Sequence, residues 1–330
     1  MRKIYINDEL KRLSKEYAEN LFSERMERFV LPLTGLNSLK DELIEKAFPD
    51  HADYVSEIID RYPLLNCLLP SEFDLVKNEF DDILEEGRLN DEMRLMNNNV
   101  NKKFYKYIVE AMRYDALRDK EFLPYLRNLG MKTCIYCNSQ LAIVIEESDD
   151  KYIAKLELDH FKPKSLYPFL CTSFFNLYPT CSYCNKAKSK NPAEFQLYVE
   201  ESDQELDDFI FKLKDESVIN YWNYKNPEVL EISFDTKVPN SALLDNHEEL
   251  FCISGIYNTQ KDLIEELLYK KEVYTEVYKK DLADNFEKLF PDQALLKRLI
   301  IGNYDKPEEI YKRPMSKFVQ DIARQIGLID

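Results

Sequence analysis

Glycine is scarce in this chain, with six in 330 residues, and tryptophan occurs once. So few residues suited to left-handed turns argue against a turn-rich all-β architecture, while 22 tyrosines and 19 phenylalanines favour helices packed through aromatic side chains. No apolar run approaches the roughly 18 residues needed to span a bilayer. The opening stretch MRKIYINDEL has no apolar core of the kind an export signal carries, so a cytoplasmic protein is expected. Also missing is a G-x-x-x-x-G-K-[ST] loop, which excludes nucleotide hydrolysis through that device. Basic residues are outnumbered, 45 against 61, and the net charge of -16 excludes a protein that coats nucleic acid through general positive charge.

At 330 residues the chain exceeds the usual single-domain size, so a small functional module inside larger supporting lobes is expected. Residues 1–130 read as an N-terminal helical lobe. Phe73, Val76, Phe80, Ile83 and Leu84 recur at helical steps, with Ser71 placed to cap and Gly87 to terminate. Val100, Phe104, Ile108 and Met112 form a second stripe, and Asp119 is placed to cap a short helix carrying Phe122 and Leu126 before Gly130. The pattern changes at Met131. Leu141 to Ile145 is continuously apolar and Tyr152 to Leu158 alternates, with Ser148, Asp149 and Asp150 between, which predicts a hairpin whose second strand ends at Asp159 and His160. Residues 131–195 thus form a central module. Residues 196–330 read as a mainly helical C-terminal lobe: Ser202 and Glu205 make a capping box before Leu206, Ile210 and Leu213, and Leu230, Ile232 and Phe234 suggest one strand. Helical stripes follow from Leu263 to Phe290 and from Val319 to Ile326. The fold class is therefore α+β, predominantly helical.

Of the seven cysteines, four form the pairs Cys134-Ile-Tyr-Cys137 and Cys181-Ser-Tyr-Cys184. Four thiolates make the closed tetrahedral set of a structural zinc site, and in a reducing compartment two such pairs point to metal. A redox role for either pair is the alternative. The 43 residues between the pairs exceed a compact zinc ribbon, so the metal would clasp the two ends of an inserted element. Cys67, Cys171 and Cys252 are expected to be buried, unreactive thiols, and His51 and His247 ordinary structural or surface residues. The charge average hides a reversal here. Residues 160–190 contain Lys162, Lys164, Lys186, Lys188 and Lys190 and no acid, so this segment carries +5 and the rest -21.

The order Leu158-Asp159-His160-Phe161-Lys162-Pro163-Lys164-Ser165, then Asn176-Leu177, then Cys184-Asn185 and Lys188 resembles the HNH endonuclease family, in the branch whose finger is stapled by two zinc knuckles. The likeness covers about 60 residues, from Cys134 to about Lys190. It implies a central zinc-stapled ββα-metal finger flanked by helical lobes, and metal-dependent hydrolysis of phosphodiester bonds in DNA. Such chemistry needs a base for the attacking water and positive charge on the phosphate oxygens. His160 is the implied base, and Asp159 and Asn185 offer hard oxygen ligands suited to Mg2+ or Mn2+. Asn176 would hold the loop that orients His160, and Lys164 and Lys188 would meet phosphates. The second His of the family name is Asn185 here, a substitute the family accepts but a weaker ligand.

The flanking lobes and the segment Lys312-Arg313-Pro314-Met315-Ser316-Lys317-Phe318 resemble nucleases of bacterial antiphage defence, among which the Septu type works beside a separate ATPase partner. Two alternatives from other classes stand beside the DNA-cutting enzyme. One is a zinc-stapled module that binds nucleic acid without cleavage, and the other is an RNA-cleaving toxin acting on the same phosphodiester.

Overall fold

Aromatic and aliphatic stripes at helical spacing build the first third of the molecule. The computed structural model describes residues 1–330 apart from 24, 26–27, 97–99, 149–150, 203–204, 238–240 and 287–291. Helix α1 (Asp8–Asn20) starts where the Asn7 side chain accepts from the Leu10 amide at 2.8 Å. Helices α2 (Pro32–Glu45) and α3 (Pro49–Asn66) each open on a proline, which costs no hydrogen bond in a first turn. They pack on each other and on α4 (Phe73–Ile83) and α5 (Phe104–Ala111). A glycine is needed at one crossing: a Cβ on Gly35 of α2 would stand 3.0 Å from the Ala111 carbonyl oxygen.

Several local readings change in this lobe. Ser71 does not cap α4. One 3-10 turn, Pro70–Glu72, precedes that helix, and the Ser71 amide and hydroxyl both donate to the Glu200 carboxylate. The helix stops at Leu84, before Gly87. Val100 lies outside its expected helix and is exposed, whereas Phe104, Ile108 and Met112 are buried. Asp119 caps nothing: it sits inside a wide π-type turn, Leu117–Glu121, and pairs with its neighbour Arg118. Phe122 and Leu126 are buried as read, on or beside α6 (Leu123–Asn128), and Gly130 follows with φ +68°.

The hairpin pairs β1 (Ile143–Ser148) with β2 (Lys151–Lys155), Val144 facing Ala154. Its expected turn at Asp149 and Asp150 lies outside the described residues. The second strand does not run on in the same sheet. It breaks at Leu156, and β3 (Glu157–His160) pairs antiparallel with β4 (Leu177–Thr180), Asp159 facing Tyr178 and His160 facing Leu177. Helix α7 (Ser182–Lys188) follows.

The capping box at Ser202 and Glu205 does not start a helix. Phe209–Leu213 is strand β5, with Phe209, Phe211 and Leu213 buried on alternate positions. After α8 (Asp215–Tyr224), the expected strand near Ile232 is present as β6 (Ile232–Thr236), antiparallel to β5. The chain then runs through α9 (Ser241–Phe251), α10 (Ile253–Asn258), α11 (Lys261–Val273), α12 (Glu276–Asn285), α13 (Gln293–Ile301) and α14 (Ser316–Gln325). The stripe from Leu263 is thus two helices, and Phe290 lies outside the described residues. Helix α14 closes the free edge of β5: Asp321 and Gln325 accept from the Phe211 and Leu213 amides at 3.0 and 2.7 Å. One buried apolar cluster joins the N-terminal, central and C-terminal segments, with α12 and the β1–β2 hairpin packed on it only through half-buried residues, and no described helix is long and apolar enough to cross a membrane.

Asn138 joins the central segment to the C-terminal helices. It is buried in the left-handed conformation, φ 51°. Its amide donates to the Thr133 hydroxyl at 3.0 Å and the Ile310 carbonyl at 2.8 Å, and its side-chain oxygen accepts from the Lys317 amide at 2.9 Å. Its own carbonyl accepts from the Met315 amide at 2.7 Å. Asn138→Ala leaves two buried backbone groups unpaired and puts alanine where asparagine is better tolerated. Because an unmade buried hydrogen bond costs about 1–3 kcal/mol, urea denaturation should show a loss of about 3 kcal/mol, and a loss below about 1 kcal/mol would contradict this account.

Candidate active site

The four paired cysteines come together from two sides of the β3–β4 unit. Residues 133–141 form a tight loop in which the Cys134 amide donates to the Gln140 carbonyl at 3.0 Å and the Asn138 amide to the Cys134 carbonyl at 2.9 Å. The loop docks on β4 through the Ile135 amide and the Pro179 carbonyl at 3.3 Å. Cys181 caps α7, its sulfur accepting from the Cys184 amide. The four Sγ atoms lie within 4.8 Å of one another, and all four residues are buried. Tetrahedral zinc with sulfur at about 2.3 Å needs sulfurs roughly 3.8 Å apart, so the donor set fits one zinc ion. None of the cysteines is in a disulfide. Among the described residues this is the one group of three or more His, Cys, Asp or Glu side chains close enough to share a metal.

The other three cysteines differ from one another. Cys171 is buried, and burial pushes its thiol up to about 12. Cys67 is half-buried and Cys252 is exposed, against the expectation of burial. His51 and His247 are both fully buried and structural. His247 sits among Phe195, Phe209 and Phe251 and donates to the Tyr136 carbonyl at 2.8 Å, and burial depresses its pKa to about 3, so it stays neutral.

Asp159 and His160 end β3 and line a cleft of about 450 Å3, which Asn185 of α7 and Lys164 also line. Asp159 is only 5% exposed. Tyr136 donates to its Oδ2 at 2.7 Å and Lys188 to its Oδ1 at 3.3 Å. Burial raises the carboxyl above its usual range, against the pull of Lys188 and Tyr136. His160 is held well below the ordinary imidazole value by burial first, then by the positive charge of Lys164. Its Nε2 lies 2.9 Å from the Cys171 carbonyl oxygen. A carbonyl can only accept, so the proton is on Nε2 and Nδ1 keeps a free lone pair.

Asn176 stands behind this arrangement, fully buried. Its oxygen accepts from the Lys162 amide at 2.7 Å, and its amide donates to the Lys162 and Leu170 carbonyls at 3.2 and 3.0 Å. It thereby closes the segment between β3 and β4 that carries the Cys171 carbonyl. The N-terminal helices hold the same segment from outside. Phe169 stacks on Phe80 at 4.2 Å, Tyr17 donates to the Thr172 carbonyl at 2.6 Å, and Lys162 and Tyr167 both bind Asp74.

Of the two lysines expected to meet phosphates, Lys164 lines the cleft with its ammonium 4.0 Å from the Tyr114 ring centre. Lys188 does not. It is 1% exposed and donates to the His160 carbonyl at 2.8 Å as well as to Asp159. Helical phase explains the difference: Cys181, Cys184 and Lys188 fall at three- and four-residue steps, so Lys188 shares the buried face of the cysteines. The sequence reading missed Arg118, Tyr114 and Tyr105, which reach the same cleft from the N-terminal lobe, and Lys186 and Lys190 from the α7 end. Nothing near Asp159 in sequence signals the first three. The lysines were visible in the local basic run.

For a divalent cation the cleft offers the nearly buried carboxylate of Asp159 and the amide of Asn185, both hard oxygen donors, with the half-buried Glu157 also on its lining. That set suits an ion that keeps several waters and takes substrate oxygens as further ligands. Asp159 and Asn185 have the donor chemistry for such an ion, while the Lys188 ammonium on the same carboxylate offsets part of its charge.

Comparison with known proteins gives one partial likeness. A stretch of 75 residues is 31% identical to the Septu protein PtuB of Bacillus thuringiensis, covering 22% of this chain and 26% of that protein. The chain thus matches about a quarter of that relative's length. No family model and no solved structure matches.

The four-cysteine site should hold one zinc per chain in protein purified without chelators, measured by plasma emission spectroscopy. Cys137→Ser or Cys184→Ser should lower zinc content and soluble yield together, because structural zinc contributes folding free energy directly. Stoichiometric, soluble protein with no metal would contradict the assignment.

Proposed function

We propose that this chain is a metal-dependent endonuclease of the HNH type that hydrolyses phosphodiester bonds of DNA. The observation that carries this reading is a β-β-α unit, clasped by four cysteines, in which Asp159, His160 and Asn185 line one cleft and His160 keeps a free nitrogen. In this reading Nδ1 of His160 takes a proton from the attacking water, and the Cys171 carbonyl on Nε2–H favours the imidazolium that forms. Asp159 and Asn185 hold Mg2+ or Mn2+, which when bound neutralises charge developing on the phosphate oxygens. Lys164 and Arg118 meet the flanking phosphates, and Asn176 keeps the loop behind His160 closed. Family analogy gives 5′-phosphate and 3′-hydroxyl ends.

His160→Ala should abolish cleavage while leaving zinc content and DNA binding nearly unchanged, with a lowered melting temperature because the side chain is buried and bonded to the Cys171 carbonyl. Asn185→Ala should reduce cleavage strongly, with partial recovery at high Mn2+. Near wild-type cutting by His160→Ala would overturn the assignment, and cutting of RNA in preference to DNA would reassign the substrate.

The finer reading is an effector of bacterial antiphage defence that works with a separate ATPase. The 75-residue likeness to a Septu protein supports it. Charge supports it as well: a +5 segment sits in a remainder of -21, which opposes unaided approach to a polyanion. The isolated chain should therefore cut plasmid poorly, and more slowly at low salt than short-range contacts alone would give, until the product of an adjacent ATPase gene is added. Fast partner-independent cutting at low enzyme concentration would contradict this dependence.

A further inference from the structure

The first cysteine loop does more than hold metal. Between its two cysteines in sequence stands Tyr136, fully buried, whose ring and backbone are held by the C-terminal helices. Its ring stacks on Phe251 of α9 at 4.4 Å and 16°. Its carbonyl is held by His247 at 2.8 Å, and Cys134 and Cys137 flank it in the chain. A buried phenol needs an acceptor, and a backbone carbonyl would serve. Here the acceptor is Oδ2 of Asp159 at 2.7 Å, the one carboxylate of the cleft that is itself nearly buried.

We infer that Tyr136 is a positioning residue: its hydroxyl, fixed by the cysteine loop, sets the orientation in which Asp159 presents its oxygens to a divalent cation in the cleft. This rests on the reading of Asp159 as a cation ligand given above. The carboxylate is clamped from two sides. Tyr136 reaches it from the first cysteine loop and Lys188 from α7, the helix that carries the second pair. Both clamping groups thus belong to segments that the four sulfurs bring together, so the structural metal acts on the cleft through two hydrogen bonds to one side chain. Bonds to a charged acceptor are the stronger kind, and a ligand held by such partners loses about 10- to 100-fold in metal affinity when a partner is removed.

The test uses the full-length, zinc-loaded chain and Tyr136→Phe, which keeps the ring and its stack on Phe251 and removes only the donor. Mn2+ binding is measured by calorimetry, together with zinc content, melting temperature and cleavage kinetics. The expected result is unchanged zinc and melting within a few degrees, about 10- to 100-fold weaker Mn2+ binding, and a fall in kcat with little change in KM that high Mn2+ recovers. Unchanged Mn2+ affinity would overturn the inference, provided Asp159→Asn abolishes binding in the same assay. Loss of zinc or a collapsed melt in Tyr136→Phe would also overturn it, by making the hydroxyl a purely structural group. If Asp159→Asn binds Mn2+ as tightly as wild type, the reading of the cleft itself fails, a result distinct from the failure of Tyr136.

Discussion

The meeting of four sulfurs from two loops 43 residues apart is the constraint on which the rest of the cleft depends. Asp159, His160, Lys164 and Asn185 lie between those loops or within one helix of them, and Tyr105, Tyr114 and Arg118 come to the cleft from the N-terminal lobe. Strand β3 delivers Asp159 and His160, β4 pairs with it, and α7 begins at Cys181. Separating the loops would take Tyr136 and Lys188 away from Asp159 together, leaving a nearly buried carboxylate without its two side-chain donors. Breaking a buried ion pair of this kind costs about 3–5 kcal/mol, so clasp and cleft are energetically one unit.

The flanking helices share this work unequally. The N-terminal helices hold the segment between β3 and β4, through Phe80 on Phe169, Tyr17 on Thr172 and Asp74 on Lys162 and Tyr167. They thereby fix the Cys171 carbonyl that selects the His160 tautomer. The C-terminal helices hold the first cysteine loop instead. His247 binds the Tyr136 carbonyl, Tyr257 donates to the Cys137 carbonyl at 2.8 Å, and Asn138 binds the start of α14. The central module, which shares the buried core with both lobes, is thus held at one segment by the N-terminal helices and at another by the C-terminal helices.

Much of the site was legible because metal and acid–base chemistry demand particular residue types at short spacing. The two Cys-x-x-Cys pairs and the Asp-His pair at a strand end are signals of that sort, and the structure brings the sulfurs together and puts the pair on the lining of a cleft. What was not legible is instructive. Leu206, Ile210 and Leu213 fit a helical step, yet Phe209, Phe211 and Leu213 fit a strand equally well, and pairing with β6 decided between them. Strand β4 is four residues long, wholly buried and contains Pro179, so it offers no alternation to read. Lys188 was expected to meet phosphates, yet its helical phase relative to Cys181 and Cys184 puts it inside. Arg118 and Tyr114 reach the cleft from a lobe remote in sequence, by a route that no local pattern encodes.

The proposed function requires two metal positions of different chemistry in one chain, a closed sulfur site and an open oxygen site, joined through Asp159. The direct measurement is anomalous diffraction from crystals grown with Mn2+, collected on both sides of the zinc edge and at a wavelength where manganese scatters strongly. The expected result is a zinc peak among Cys134, Cys137, Cys181 and Cys184, and a manganese peak in the cleft within coordination distance of Asp159 and Asn185. Zinc absent from the four sulfurs, or manganese absent from the cleft at saturating concentration, would contradict it.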